Sequence, residues 1–188
     1  DNGESTNPAT ALCAGSPGVT VTDANGCTIS TTATINEPPA LTLTVGPTTD
    51  ALCNGDCNGT AGLTIGGGTP AYTINWSNGE STNPATGLCA GTTGVTITDA
   101  NSCSITDAAT INEPLPISIT VASSTDPLCN GDCNGTATLN ITGGTAPYNP
   151  INWSNGETGN PASALCGGNT GVTVTDANGC TGSSSVTL

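Results

Sequence analysis

The sequence predicts an all-β protein built from tandem β-sandwich repeats of about 76 residues, stapled by disulfides. Three observations support this prediction: an exact internal repeat, short strand-like segments between turn residues, and ten cysteines in 188 residues. The ten letters LCNGDCNGTA at residues 52–61 return unchanged at residues 128–137. Self-similarity at a fixed period is the signature of an array of like structural units.

Alignment of the copies divides the chain into three parts. Residues 1–37 correspond to the C-terminal half of a truncated repeat, and residues 38–113 and 114–188 each correspond to a full repeat. One extra residue, Pro150, lengthens the offset between the copies from 76 to 77. The segments at residues 36–39 (Asn-Glu-Pro-Pro) and 112–116 (Asn-Glu-Pro-Leu-Pro) predict short, stiff linkers at the two boundaries.

Strands are predicted where β-branched residues alternate between Gly, Asn, Asp and Pro turns. In the second copy these segments are residues 41–45, 60–65, 72–76, 94–98 and 104–111. In the third copy they are residues 117–121, 136–141, 148–153, 171–175 and 182–188. No segment has a helical period. Several short strands at this spacing favour an immunoglobulin-like β-sandwich.

The charge of the chain excludes several classes of function. It has no Lys, Arg or His and carries 14 acidic residues, so its formal net charge is −14. Binding to nucleic acid or insertion at an anionic membrane needs cationic side chains, and we expect neither. The Ser–His, Cys–His and lysine Schiff-base mechanisms are also unavailable, which indicates that the chain is not an enzyme.

The cysteines indicate an oxidising, extracellular environment. Each full repeat has four, and a strand separates Cys89 from Cys103 by too great a length for a bridge. Two connectivities remain. We favour Cys53–Cys103 with Cys57–Cys89 and, in the third copy, Cys129–Cys180 with Cys133–Cys166. We expect Cys13 and Cys27 to be unpaired within the chain, because the half-repeat that would hold their partners is absent.

Each full repeat has one tyrosine and one tryptophan: Tyr72 and Trp76, then Tyr148 and Trp153. We expect these aromatic residues in the core, with the tryptophan packed against a disulfide. The alternative is a platform on which the rings stack against a sugar.

Acidic and amide side chains recur in the turns, and two pairs are weak calcium candidates: Asp99 with Asn101, and Asp176 with Asn178. The alternative is that these residues form Asx-turns. Glu4, Glu80 and Glu157 follow Asn-Gly in each copy. A pair of carboxylates can hydrolyse glycosides, but we interpret these three as turn residues. We expect no cofactor, with calcium as the one candidate ion.

Several linked motifs resemble the SprB-type repeat of giant surface adhesins of gliding bacteria. They are LCNGDCNGTA (52–61), GGGTPAYTINWSNG (66–79), LCAGTTGVTITDANSC (88–103) and ATINEP (109–114), with GGTAPYNPINWSNG (143–156) and TGVTVTDANGC (170–180) in the third copy. Thr93 and Thr170 stand where that pattern usually has Tyr. The second pair, Cys57 and Cys89, goes beyond the commoner single bridge. The resemblance implies display on the cell surface after type IX secretion.

We therefore expect a structural repeat array that forms the shaft of an extracellular adhesin or cell-surface filament. Its expected partners are further repeats of the same chain, or identical chains in a fibre. The alternative is an array of modules that each bind surface polysaccharide weakly and gain affinity through multivalency.

Overall fold

The computed structural model describes residues 3–188 and consists of strands, turns and loops, with no helix in that range. We call residues 3–37 unit one, 38–113 unit two and 114–188 unit three; Asp1 and Asn2 of the predicted half-repeat lie outside the described residues. Unit one contains β1 (Gly18–Thr22) and β2 (Thr28–Thr32). The strands of unit two are β3 (Thr42–Thr49), β4 (Gly59–Gly66), β5 (Thr73–Trp76), β6 (Ala85–Leu88), β7 (Gly91–Thr98) and β8 (Ser104–Ile111). Those of unit three are β9 (Ser118–Thr125), β10 (Gly135–Thr142), β11 (Ile151–Trp153), β12 (Ala162–Leu165), β13 (Asn169–Thr175) and β14 (Thr181–Thr187).

Each full unit is a sandwich of two three-stranded antiparallel sheets. In unit two the strand orders are β3-β4-β6 and β5-β7-β8, and unit three repeats them as β9-β10-β12 and β11-β13-β14. If the six strands are lettered A, B, C, E, F and G, the sheets are A-B-E and C-F-G. This is the constant-type immunoglobulin arrangement without its D strand. The predicted all-β, immunoglobulin-like class is confirmed.

One strand per unit was missing from the sequence prediction. β6 and β12 are four residues long and contain few β-branched residues, so the alternation signal is absent. β6 pairs with β4 at only two positions, on either side of a bulge. The side chain of Asn83 extends this edge, because its amide group donates to the Leu63 carbonyl (2.9 Å) and accepts from the Leu63 N–H (2.8 Å).

The two sheets of each unit enclose a small apolar core around one tryptophan. Trp76 is 3 % exposed and Trp153 4 % exposed, and each packs with valine, leucine, isoleucine and alanine side chains from both sheets. Tyr72 and Tyr148 are half-buried against the same clusters. The indole N–H groups donate within the unit, that of Trp76 to the Thr82 carbonyl at 3.1 Å. The aromatic residues of each full unit therefore lie in its core or against it.

Unit one is a two-stranded hairpin with an exposed apolar face. Its register, Gly18 opposite Thr32, is the register of Gly94 opposite Ala108 in unit two, shifted by 76 residues. Val21 is 60 % exposed, whereas its equivalent Ile97 is fully buried. The hairpin thus has the geometry of the back strands of a unit, without a second sheet against them.

Close packing in the core of unit two surrounds Gly59, the first residue of β4. A Cβ atom there would lie 2.6 Å from the Ile111 side chain and 3.0 Å from the carbonyl oxygens of Leu88 and Thr49. We predict that Gly59→Ala destabilises unit two by about 1–3 kcal/mol because the core must shift to accommodate the methyl group. Differential scanning calorimetry of the oxidised chain measures the effect.

The matched control is Gly94→Ala in β7, where a Cβ atom would meet nothing within 4 Å. The free energy of unfolding of this variant should lie within about 0.5 kcal/mol of that of the native chain. Equal destabilisation by both substitutions would show that strand propensity, and not close packing, dominates at Gly59.

Candidate functional site: the junction between units

The two ends of a unit are distinct, and each carries one cysteine of a different kind. The end at which the linker enters unit two, here the entry end, is marked by the Gly68 N–H bonded to the Pro39 carbonyl (2.7 Å). The opposite exit end is marked by the Ala51 N–H bonded to the Asn112 carbonyl (2.9 Å). Cys103 lies in the β7–β8 turn at the entry end, and Cys53 follows β3 at the exit end.

This placement shows that the expected Cys53–Cys103 bond is wrong. The eight residues of β8 run from one end of the sandwich to the other, a length of about 25 Å. A disulfide needs Cα atoms roughly 4.4–6.8 Å apart. The same geometry in unit three excludes the expected Cys129–Cys180 bond.

Cys53 is instead bonded to Cys180 of the next unit. The bond spans 127 residues of sequence, and its Cα atoms are 5.6 Å apart. The exit end of unit two therefore faces the entry end of unit three, and the two units are stacked head to tail. The sequence analysis paired cysteines only within a single repeat and therefore did not predict this disulfide.

The second cysteine pair of each unit closes a loop within that unit. Cys57 is bonded to Cys89 and Cys133 to Cys166, at sequence separations of 32 and 33. These are the pairings expected from the sequence. All four residues are exposed, so these disulfides lie at the surface. This differs from the expectation that a disulfide packs against the core tryptophan.

Four cysteines are free, and all are exposed: Cys13, Cys27, Cys103 and Cys129. Cys13 and Cys27 are not bonded to each other, in line with the expectation from the sequence. Cys103 and Cys129 were expected to be bonded within their units, and that expectation is wrong for the reason of strand length given above.

An aspartate orients the cysteine of each entry-end turn. Asp176 Oδ1 accepts hydrogen bonds from the N–H groups of Asn178 (2.9 Å) and Cys180 (2.9 Å), and Oδ2 accepts from Thr145 (2.8 Å). Asp99 makes the same three bonds in unit two, including one from the Cys103 N–H at 2.8 Å. The aspartate thereby fixes the turn from which the cysteine projects.

These buried carboxylates are held in the ionised form. A hydrogen bond from the Thr69 amide, together with two amides of the turn, lowers the pKa of Asp99 although its burial acts in the opposite direction. Burial likewise raises the pKa of Asp176, but the hydrogen bonds from Thr145 and from its own turn outweigh it, so the net shift is also downward. Both turns are therefore most stable when the carboxyl is charged.

Further polar contacts join the units beside the disulfide. The Asn178 side-chain amide donates to the Leu52 carbonyl across the junction (3.0 Å) and to Thr145 Oγ1 within unit three (3.1 Å). Sequence reasoning assigned Asn178 to a calcium candidate and gave Leu52 no role. Nothing in the local pattern identifies a carbonyl that accepts from the next unit.

The linker between the units is tied to both of them. The Glu113 carboxylate accepts hydrogen bonds from Asn54 Nδ2 (3.0 Å) and from the Gly55 N–H (2.6 Å), which lie in the Cys53 loop. Two residues later, the Leu115 carbonyl accepts from the Gly144 N–H of unit three (2.7 Å). The linker is therefore short and held at each end, as its Asn-Glu-Pro sequence predicts.

The glutamates that follow Asn-Gly also accept hydrogen bonds from the backbone. The side chains of Glu4, Glu80 and Glu157 each accept a hydrogen bond from the amide six residues further on, at 2.7 to 3.0 Å. Their role as turn residues agrees with these contacts.

The calcium candidates do not form a cluster. Among residues 3–188 no group of three or more Cys, Asp or Glu side chains is gathered as metal ligands would be. The oxygens of Asp99 and Asp176 accept amide hydrogen bonds instead. Calcium binding stays a prediction from the sequence.

Comparison with known proteins agrees with the repeat pattern. The family model described as the SprB repeat matches residues 45–81 and 121–158, which make up about two fifths of the chain. The two segments begin 76 residues apart and end 77 residues apart, as the extra Pro150 requires. The resemblance inferred from the motifs is confirmed at these segments. No curated protein matches the chain.

A search of solved structures finds an immunoglobulin-type neighbour. A chain from the crystal structure of Dpr11 IG1 bound to DIP-gamma IG+IG2 is similar over 80 % of this chain and 98 % of its own, with 12 % identity and a TM-score of 0.30. At that score the likeness adds nothing to the sheet topology described above. Within residues 3–188, no helix has the length and apolar character to cross a membrane.

The lowered pKa values of Asp99 and Asp176 predict an acid-sensitive fold. A carboxyl whose folded pKa is depressed contributes stability above its unfolded pKa, about 3.9, and loses it as the pH falls toward the folded value. We predict that the free energy of unfolding decreases as the pH is lowered below about 4. The double variant D99N/D176N should lose less stability over the same range.

Denaturant titrations at a series of pH values measure this difference. The double variant D126N/D132N removes two carboxylates at exposed positions, so it serves as the charge-matched control and should follow the native chain. An equal acid dependence in D99N/D176N and the native chain would contradict the role assigned to these turns.

Proposed function

We propose that this chain, in which two segments match the SprB repeat, is part of the shaft of an extracellular adhesin or cell-surface filament. The observation that supports the proposal best is the Cys53–Cys180 disulfide, which joins successive units covalently in addition to the peptide linker. SprB repeats occur in cell-surface proteins, and disulfides persist in oxidising surroundings outside the cytoplasm. Secretion through the type IX pathway is part of the same proposal.

The disulfide changes how the chain would carry a pulling force. Residues between Cys53 and Cys180 lie inside a closed covalent loop, so tension applied to the two ends passes across the S–S bond. The force therefore cannot extend most of units two and three, even if the strands of these units separate. A shaft needs this property, because its function is to keep a fixed length under load.

The contacts around the bond support a fixed angle between the units. The linker is hydrogen-bonded to unit two through Glu113 and to unit three through Leu115, and the Asn178 amide spans the junction. Two covalent connections and these polar contacts oppose hinge motion. The high negative charge disfavours compaction of the array on itself.

Polysaccharide binding has less support from the structure. Stacking on a sugar needs an exposed aromatic face, and Trp76 and Trp153 are 3 % and 4 % exposed. Their indole N–H groups donate to carbonyls of their own units, at 3.1 Å and 3.0 Å. We therefore propose a non-enzymatic, load-bearing role and not an array of sugar-binding modules.

Single-molecule force spectroscopy tests the proposal directly. When the oxidised chain is pulled from its termini, only the residues outside the 53–180 loop can extend, about 60 residues or roughly 210 Å at 3.5 Å each. In C53S/C180S the two small loops remain closed. About 120 residues can then extend, to roughly 430 Å.

Cys103→Ser is the matched control, because it removes an exposed cysteine that forms no disulfide in this chain, and it should extend like the native chain. If the native chain extended as far as C53S/C180S, the units would not be locked together. The proposed shaft function would then lose its main support.

A further inference from the structure

We propose that a groove at the edge of β10 binds an extended, positively charged peptide segment of a partner protein, which completes the sheet as an added strand. This inference goes beyond the proposed shaft function and does not depend on it. The groove lies in unit three and has a volume of about 530 Å³, with an apolar lining formed by Leu139, Ile141, Tyr148 and Ile151. Its size is within the range of roughly 300–1,000 Å³ that is usual for ligand sites.

The sheet edge beside the groove is incomplete. β10 has eight residues, whereas its neighbour β12 has four and pairs with it only at Gly135 and Ala137. The Asn160 side chain takes the next position, because its amide group donates to the Leu139 carbonyl (2.9 Å) and accepts from the Leu139 N–H (2.8 Å). This edge therefore already pairs with an amide group that does not belong to a strand.

The next residue on this edge is Ile141. In an antiparallel pair, the backbone groups of successive residues point alternately toward the partner strand and away from it. Leu139 points away from β9, since it bonds to Asn160, and the Asn140 carbonyl faces β9, where it accepts from Thr120 Oγ1 (3.3 Å). The N–H and C=O of Ile141 therefore point away from β9, toward the open edge. Among the described residues, no turn or loop hydrogen bond uses either group.

A one-residue insertion shapes the opposite wall of the groove. In unit two Thr73 pairs with Thr98, whereas in unit three Asn149 and Pro150 together oppose Thr175. The Thr175 carbonyl accepts from the Asn149 N–H (2.8 Å), and the Thr175 N–H donates to the Pro150 carbonyl (2.9 Å). Two residues opposite one form a β-bulge, which bends the strand and redirects its side chains. The bulge places Asn149 in the lining of the groove.

These features specify the sequence pattern of the bound peptide. One peptide residue opposite Ile141 can satisfy both of its backbone groups, as in a hydrogen-bonded antiparallel pair. The side chains of such a pair lie on the same face, and that of Ile141 packs against the core of unit three. The central peptide residue is therefore apolar and β-branched, and its two neighbours are polar and face outward. An oligosaccharide has no alternating N–H and C=O groups with which to extend the sheet.

The charge of the chain favours a cationic peptide. The chain carries 14 acidic residues and no Lys, Arg or His, so its electrostatic field attracts positive charge. The residues that line the groove are themselves uncharged, so binding buries no carboxylate there. Lysines at the outward-facing positions of the peptide therefore speed association and strengthen binding, whereas acidic residues oppose both. Main-chain hydrogen bonds and one apolar side chain supply the remaining affinity, as in other cases of strand addition.

A nuclear magnetic resonance titration of the oxidised, nitrogen-15-labelled chain tests the proposal. The probe is the peptide Lys-Thr-Ile-Thr-Lys, blocked at both ends, in about 10 mM salt, where the Debye length is about 30 Å. The amide signal of Ile141 should shift progressively with peptide concentration, and that of its equivalent Ile65 in unit two should shift less. A peptide N-methylated at its isoleucine lacks one donor and should bind about fivefold more weakly. A peptide with Glu in place of both Lys should produce no shift.

The matched protein variant deletes Pro150 and carries Asn149→Thr, which recreates the Tyr-Thr-Ile sequence that unit two already folds. This variant should lose the peptide-induced shift. Asn152→Thr is its control, because Asn152 is exposed and does not line the groove, and it should bind like the native chain.

The proposal is overturned if the peptide leaves the Ile141 signal unmoved, or if the N-methylated peptide or the deletion variant binds as the native pair does. A shift of the Ile141 signal by the neutral oligosaccharide maltohexaose would assign the groove to a sugar and also overturn it. The force measurement on Cys53–Cys180 does not involve this groove, so the two proposals can fail separately.

Discussion

The length of the strands determines the covalent structure of this protein. Each full unit has the equivalent of Cys103 at its entry end and the equivalent of Cys53 at its exit end, with about 25 Å of strand between them. A bond within the unit is therefore impossible, and the nearest complementary cysteine belongs to the next unit in the stack. The disulfide framework follows from this distance, and so does the head-to-tail direction of the array.

The absence of cations imposes a second constraint. With no Lys, Arg or His, every carboxylate must be solvated or must accept hydrogen bonds from neutral donors. Asp99 and Asp176 are buried against backbone amides, and Glu113 binds the loop that carries Cys53. Hydrogen bonds to an ionised acceptor are stronger than those between neutral groups, so a few well-placed carboxylates can fix turns and a linker in a domain with a small core. The acidic residues are thus structural elements at the ends of the units.

Much of this fold could be predicted from the sequence, because local signals and tertiary packing agree. The repeat, the long strands and the burial of Trp76 and Trp153 all follow from alternation and from the scarcity of other large side chains. β6 and β12 could not be predicted, since four residues around glycine or alanine carry no periodic signal. The predicted partner of Cys53 was wrong for a different reason. Spacing along the chain shows which cysteines are equivalent, but it does not show whether the partner lies in the same unit or in the next.

The Cys53–Cys180 bond can be tested most directly by a disulfide map of the oxidised chain. Cleavage before every aspartate, after denaturation without reduction, puts Cys53, Cys103, Cys129 and Cys180 on four separate peptides: 50–55, 99–106, 126–131 and 176–188. Mass spectrometry should find peptide 50–55 joined to peptide 176–188. Peptide 50–55 joined to peptide 99–106 would contradict the stacked, cross-linked array and return each disulfide to a single unit.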